Sequence, residues 1–244
     1  MFFLPGLYRH PAFAQGAREM SAVAPGIAAW GLMTGVTMVK SGMAVPLALA
    51  MALTVFAGSS QLAAIPLLMA GAPVWVVLAT AFCVNLRFVV FSAHLRPYVM
   101  HLPRWQRLVT GYFTADLTYV LFVKRFHQPG QSDEARTAQM AYLAGNGSVN
   151  WASWTVCSVL GVALANFIPT SWGLGFAGVL ALTGMLCSLA SSRLRWVAAA
   201  VSASAAVAAF ALPLKLNILV AIGAAVAVCL ALEHFRATTL ARVR

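Results

Sequence analysis

Acidic side chains are nearly missing from this sequence. Five Asp and Glu stand among 244 residues, and all charged types together reach 9%, against roughly a quarter in an ordinary soluble domain. With 61% apolar residues and a mean hydropathy of +0.85, a water-soluble fold is not expected, because too few polar groups are left to cover its surface. Charge is absent altogether between Ser41 and Leu86 and again between Thr137 and Ser192. Each gap is long enough for roughly two helical crossings of a bilayer core.

Other absences exclude whole classes of function. Cys83, Cys157, Cys187 and Cys229 lie inside apolar runs with no CxxC, so they read as small buried hydrophobes rather than disulfide or metal ligands. No two of His10, His94, His101, His127 and His234 have metal-ligand spacing on one helix. No glycine-rich phosphate loop follows a strand, and no Ser/His/Asp set is legible. Neither an enzyme nor a cofactor is therefore expected. The opening Met-Phe-Phe-Leu-Pro has no basic residue before an apolar run that Pro5 breaks, so it does not read as a cleavable signal peptide. A net charge of +11 would suggest nucleic acid in a soluble protein. Here the Arg and Lys residues sit in short connections, where they meet anionic headgroups and set orientation, and no nucleic-acid partner is expected.

What is present is hydrocarbon in helical lengths. A bilayer-embedded segment must satisfy its own backbone hydrogen bonds, and no alternating barrel pattern occurs, so each apolar run is expected to be a helix. The runs are Met20 to Val39, Met43 to Ala70, Pro73 to Ala93, Leu108 to Val123, Gln139 to Phe167, Trp172 to Ala190, Trp196 to Leu212 and Leu216 to Leu232. The expected fold is all-α: a polytopic integral membrane helical bundle with broken helices and about seven to eight transmembrane segments, in the cell inner membrane. One transmembrane domain over residues 1–244 is expected, with an N-terminal arm (1–19), a first helical half (20–123), a polar loop (124–138), a second helical half (139–233) and a basic tail (234–244).

Several segments carry helix breakers: Pro25-Gly26, then Pro46, Gly58-Ser59-Ser60 and Pro66, then Gly145-Asn146-Gly147 with Asn150. Orientation contains a conflict. One loop holds Arg96, Arg104 and Arg107, the next holds Lys124, Arg125 and Arg136, and only Leu108 to Val123 separates them. If that run spans, one basic loop faces the wrong side; otherwise it is buried within the bundle. Trp30, Trp75, Tyr98, Tyr112, Trp172 and Trp196 fall near segment ends, as an interfacial belt would. The small residues Ala198 to Ala206 suit close helix packing inside the subunit or against a partner.

Asp116 is the one acidic residue within a candidate span. A charge at the centre of a transmembrane helix costs about 2.5–3.5 kcal/mol on insertion scales, so it faces a polar interior or a basic partner. Two readings stand: a proton-coupling or substrate-ammonium site, and a structural ion pair. Arg87, with Asn85 two residues before it, is a candidate partner or an Arg that snorkels to headgroups. A zwitterionic ligand needs an anion site and a cation site flanking an apolar pocket, and broken helices supply both through their free amides and carbonyls. Gly58, Ser59, Ser60 and Gln61 fit such a break, and Asn146 and Asn150 offer similar groups from the second half; a capped kink with no ligand is the alternative.

Gly16-Ala17-Arg18 before the broken first run, Phe56-Ala57-Gly58-Ser59-Ser60-Gln61, Asn85-Leu86-Arg87 and the Thr114 to Asp116 element resemble the AzlC-type branched-chain amino acid permease family over most of the chain. The resemblance implies proton-driven export of leucine, isoleucine, valine and sometimes methionine, with a small hydrophobic AzlD-type partner subunit. Two departures bear on coupling and substrate range. Phe88 stands where the family commonly has His, and Thr114-Ala115-Asp116 stands where it has Thr-Asp-Glu, leaving Asp116 as the surviving acid of the pair. Transport of another small neutral metabolite, or a scaffold role without transport, are the competing readings.

Overall fold

A computed structural model describes residues 5–167, 193–212 and 217–242, and among them every regular element is helical. In chain order they are α1 (Pro5–Tyr8), α2 (Pro11–Ser21), α3 (Ala24–Lys40), α4 (Val45–Thr54), α5 (Gly58–Met69), α6 (Val74–Asn85), α7 (Arg87–Val99), α8 (Arg104–Tyr112), α9 (Asp116–Arg125), α10 (Asp133–Leu164), α11 (Arg193–Ala208) and α12 (Asn217–Arg242). The expected segment Trp172 to Ala190, with Trp172 and Cys187, lies outside the described residues. Among the described residues no single helix is both long and apolar enough to cross a membrane, but the bent pairs α2–α3 (62°) and α6–α7 (48°) pass that test together.

The helices form one motif used twice with opposite direction: a bent rod, then a hairpin that enters and leaves by the same end. The rod α2–α3 leads away from the end that carries the basic loops and finishes at Lys40. A turn follows in which Gly42 adopts φ +89°, and α4 runs back inward. At Val55 to Ala57 the chain turns over, and α5 returns to where α4 began, so that Gly42 lies beside Met69. Gln61 locks this hairpin by donating through Nε2 to the carbonyls of Met51 (2.9 Å), which also accepts from the Val55 N–H, and of Val55 (3.0 Å), just past the end of α4.

A second turn, with Gly71 at φ +66°, starts the inverted copy. The rod α6–α7 bends at Leu86 and leads back to the basic end. There α8 reverses along α7, with Arg107 donating to Met100 Sδ, and α9 reverses again. α9 runs parallel to α7: Asp116 lies by Arg87, Tyr119 stacks on Phe91, and Tyr98 donates to the Phe126 carbonyl (3.0 Å).

This corrects the reading of Leu108 to Val123 as one segment carrying an acid in its interior. The run is two short helices with a break at Phe113 to Ala115, and Asp116 is the first residue of α9. The Thr110 and Thr114 hydroxyls donate back to the Gln106 and Thr110 carbonyls (2.8 and 2.6 Å), capping the end of α8, while extended Ala115 (ψ 177°) starts the return. The orientation conflict disappears with it. Both basic loops lie at the same end, where His101, Pro129 and Arg136 line one hollow.

α10 is a continuous helix of 32 residues, about 48 Å long at 1.5 Å per residue. The expected break at Gly145-Asn146-Gly147 is not there. These glycines serve close approach: a Cβ on Gly145 would overlap the Phe13 carbonyl, and one on Gly16 the Tyr142 carbonyl. Further along, Gly35 lies against the Ser158 carbonyl and Gly161 against that of Leu32, which seats α3 on α10 backbone to backbone. α10 is thereby the post along which α2, α3 and α9 pack. Beyond it, α11 and α12 pack on each other, with α12 touching α6.

Candidate functional site

The two hairpin tips meet in the middle of the bundle, with the Phe56 and Tyr112 rings 6.2 Å apart. The bend of α6–α7 brings Arg87 between the tips. Its Nη2 donates to Ser59 Oγ (2.8 Å) and its Nε lies 2.7 Å from Asp116 Oδ1. The Arg87 and Asp116 side chains are 27% and 28% exposed, enough for a small ligand to reach both. The guanidinium also sits over the Phe88 ring, 5.1 Å from its centroid.

Beside this pair opens a cleft of about 560 Å³, mouth included. Phe56, Ala57, Gly58 and Ser59 form one wall and Ala115, Asp116 and Leu117 the facing one, with Ile27, Trp30, Asn150 and Trp154 from α3 and α10 behind. Gly58 is required where it stands, since a Cβ there would penetrate the Trp154 indole. Trp154 packs edge-on against Trp30 at 5.6 Å, and its buried Nε1 has no hydrogen-bond acceptor among the described residues. Asn150, near the middle of α10, donates to Thr118 Oγ1 (2.9 Å) and so fixes the start of α9.

Helix starts surround the cleft. The first amide of α5 to donate into the helical ladder is Gln61 N–H, to the Ala57 carbonyl, and in α9 it is Tyr119 N–H, to the Ala115 carbonyl. The amides ahead of those two residues are free of helical acceptors and carry the positive end of each helix dipole. The arrangement offers a cation with amides around it, a carboxylate 2.7 Å away and an apolar wall.

Not every expected residue lines this space. Gly58, Ser59, Arg87, Asp116 and Asn150 do. Ser60 and Gln61 are buried behind the tip, and Gln61 is committed to the α4 carbonyls. Asn85, the last residue of α6 and two positions before Arg87, does not line the cleft. Asn146 is fully buried one turn before Asn150 on α10, beside Tyr142, which donates to Glu19 Oε2. Glu19 also meets Arg125 (3.4 Å), so Asn146 belongs to a second polar cluster nearer the basic end. Ile27, Phe56, Leu117 and Trp154 were not expected at the site, and Trp30 is a cleft wall rather than part of an interfacial belt. The signal for Trp154 is its place four residues after Asn150, on the same helical face.

The family model described as AzlC protein matches residues 22–168, more than half of the chain and all of the cleft residues. No curated protein and no solved structure matches it. The chain belongs to the AzlC family, a membrane-transport family associated with branched-chain amino acids.

Proposed function

We propose that this protein is the large subunit of a proton-coupled secondary exporter of leucine, isoleucine, valine and methionine in the cell inner membrane, working with a small hydrophobic AzlD-type subunit. The observation that carries the proposal is the joint placement of Arg87, Asp116 and Ser59 between two oppositely directed hairpin tips, beside an apolar wall. Inverted repeats with broken helices meeting at the midplane are the architecture of alternating-access transport. Asn150 stands about 25 Å along α10 from its start at the basic end, about half of that helix, which puts the cleft near the centre of a bilayer. Outward apolar faces suit lipid: Val74, Trp75, Leu78 and Phe82 on α6, and Val156, Leu160 and Leu164 on α10. The basic end then faces the cytoplasm.

A branched-chain amino acid enters by parting the ion pair. Its carboxylate takes Arg87 and the free amides of the tips, its ammonium takes Asp116, and its side chain packs against Ile27, Phe56 and the two tryptophans. A proton on Asp116 removes the ammonium's partner. Proton and substrate therefore compete for one carboxylate, the condition for exchanging one against the other across the membrane.

The test is efflux. Cells loaded with leucine or valine and expressing the chain with its small partner should clear them faster than controls, and equal clearance would remove the substrate assignment. A short, very hydrophobic chain encoded next to this one would support the partner.

A further inference from the structure

A second cleft, of about 880 Å³ with its mouth, lies between α7 and α8. Its walls are mostly apolar: Phe91, Leu95 and Val99 from α7, with Ser92 among them, face Gly111 of α8 and Thr114 just past its end. The Thr110 and Thr114 hydroxyls are spent on backbone carbonyls, so they present methyl groups rather than donors. The cleft ends at Arg96, Met100 and Arg107, at the basic end of the molecule. At its inner end it is bounded by Phe88, which also bounds the central cleft. The Phe88 ring borders both spaces, held edge-on to Phe91 at 5.6 Å and under the Arg87 guanidinium.

We infer that the α7–α8 cleft is the route between the central site and the cytoplasmic face, and that Phe88 is the gate between them. The inference rests on the transport reading above and adds the path. Arg96 and Arg107 at the mouth attract the carboxylate of an incoming amino acid, and the mostly apolar walls accept its aliphatic side chain. Because Phe88 stacks on Arg87, the gate is tied to the ion pair. When substrate draws the guanidinium away from Asp116, the ring loses its cation and is free to swing. Alternation of site and gate thus runs through two adjacent residues on α7.

Gly111 makes the route testable without disturbing the fold. Nothing lies within 4 Å of a Cβ built there, and a non-glycine residue favours the helix. Gly111→Phe fills the cleft. In protein purified and reconstituted with its partner, leucine binding, read from the fluorescence of the cleft tryptophans, should stay within about twofold of wild type, while leucine flux through proteoliposomes should fall at least about tenfold. Phe88→Ala should join the two spaces, admit larger amino acids such as phenylalanine and let substrate pass without a proton gradient. Wild-type flux in Gly111→Phe, or a Phe88→Ala protein with unchanged selectivity and coupling, would overturn the route. Loss of binding together with flux in Gly111→Phe would also overturn it, by placing Gly111 in the binding site. If wild type binds no leucine, the transport reading fails instead.

Discussion

Ser59 and Asp116 hold matching places in the two hairpins, each three residues after a phenylalanine (Phe56 and Phe113), and Arg87 contacts both, through Nη2 at 2.8 Å and Nε at 2.7 Å. The guanidinium is thus a bridge between two halves that run in opposite directions. Anything that shifts one hairpin against the other must alter this bridge.

If proton and substrate share Asp116, leucine should bind the wild type more weakly as the pH falls, because protonation removes the ammonium's partner. Asp116→Asn should lose this dependence, bind leucine at least about tenfold more weakly, and show no acceleration of efflux by an inward proton gradient. Titrations at several pH values and flux in reconstituted vesicles check both; unchanged coupling would remove Asp116 from its role.

Ser59→Ala removes a hydrogen bond to a charged group, worth about 1.5–3 kcal/mol, and should weaken leucine binding roughly tenfold or more. Ser59 and Asp116 act through the same guanidinium, so the double variant with Asp116→Asn should be non-additive by about 0.5–3 kcal/mol. A double-mutant cycle on leucine affinity measures it, and strict additivity would argue against the shared bridge.

Gly58→Ala drives a methyl group into the Trp154 indole. Overpacking of this kind costs about 1–3 kcal/mol, and the melting temperature in detergent should drop accordingly. Trp154→Leu in the same chain should recover most of that loss, since it vacates the space the methyl group needs.

Gly35→Leu and Gly161→Leu meet backbone rather than a side chain, so no rotamer change can relieve them. Both should abolish the single folded peak on size-exclusion chromatography. Gly111→Leu, where the space is open, should leave it intact.

Much of this architecture is legible in composition and punctuation. The apolar runs locate the helices, and Gly58-Ser59-Ser60-Gln61 marks a true chain reversal, where glycine gives Trp154 room and the Gln61 amide bonds the carbonyls at the end of α4. Asp116 demanded a basic partner for electrostatic reasons, and Arg87 stands beside it. The second hairpin stayed hidden because Leu108 to Val123 has the length of one marginal segment. The cue was Asp116 itself, since an acidic residue starts a helix better than it sits within one. Gly145-Asn146-Gly147 shows the converse ambiguity. Glycine permits a break and also permits two backbones to touch, and only knowing that α2 lies against α10 distinguishes the two. The cleft wall was illegible for the same reason: Ile27, Leu117 and Trp154 come from three elements that local sequence cannot bring together.

The most direct test is a leucine titration of purified protein, followed by the fluorescence of Trp30 and Trp154, in wild type and in Arg87→Gln. Saturable binding in the wild type that the substitution abolishes is expected. An identical binding curve in both, or none in the wild type, would mean that the cleft between the hairpin tips does not hold an aliphatic zwitterion.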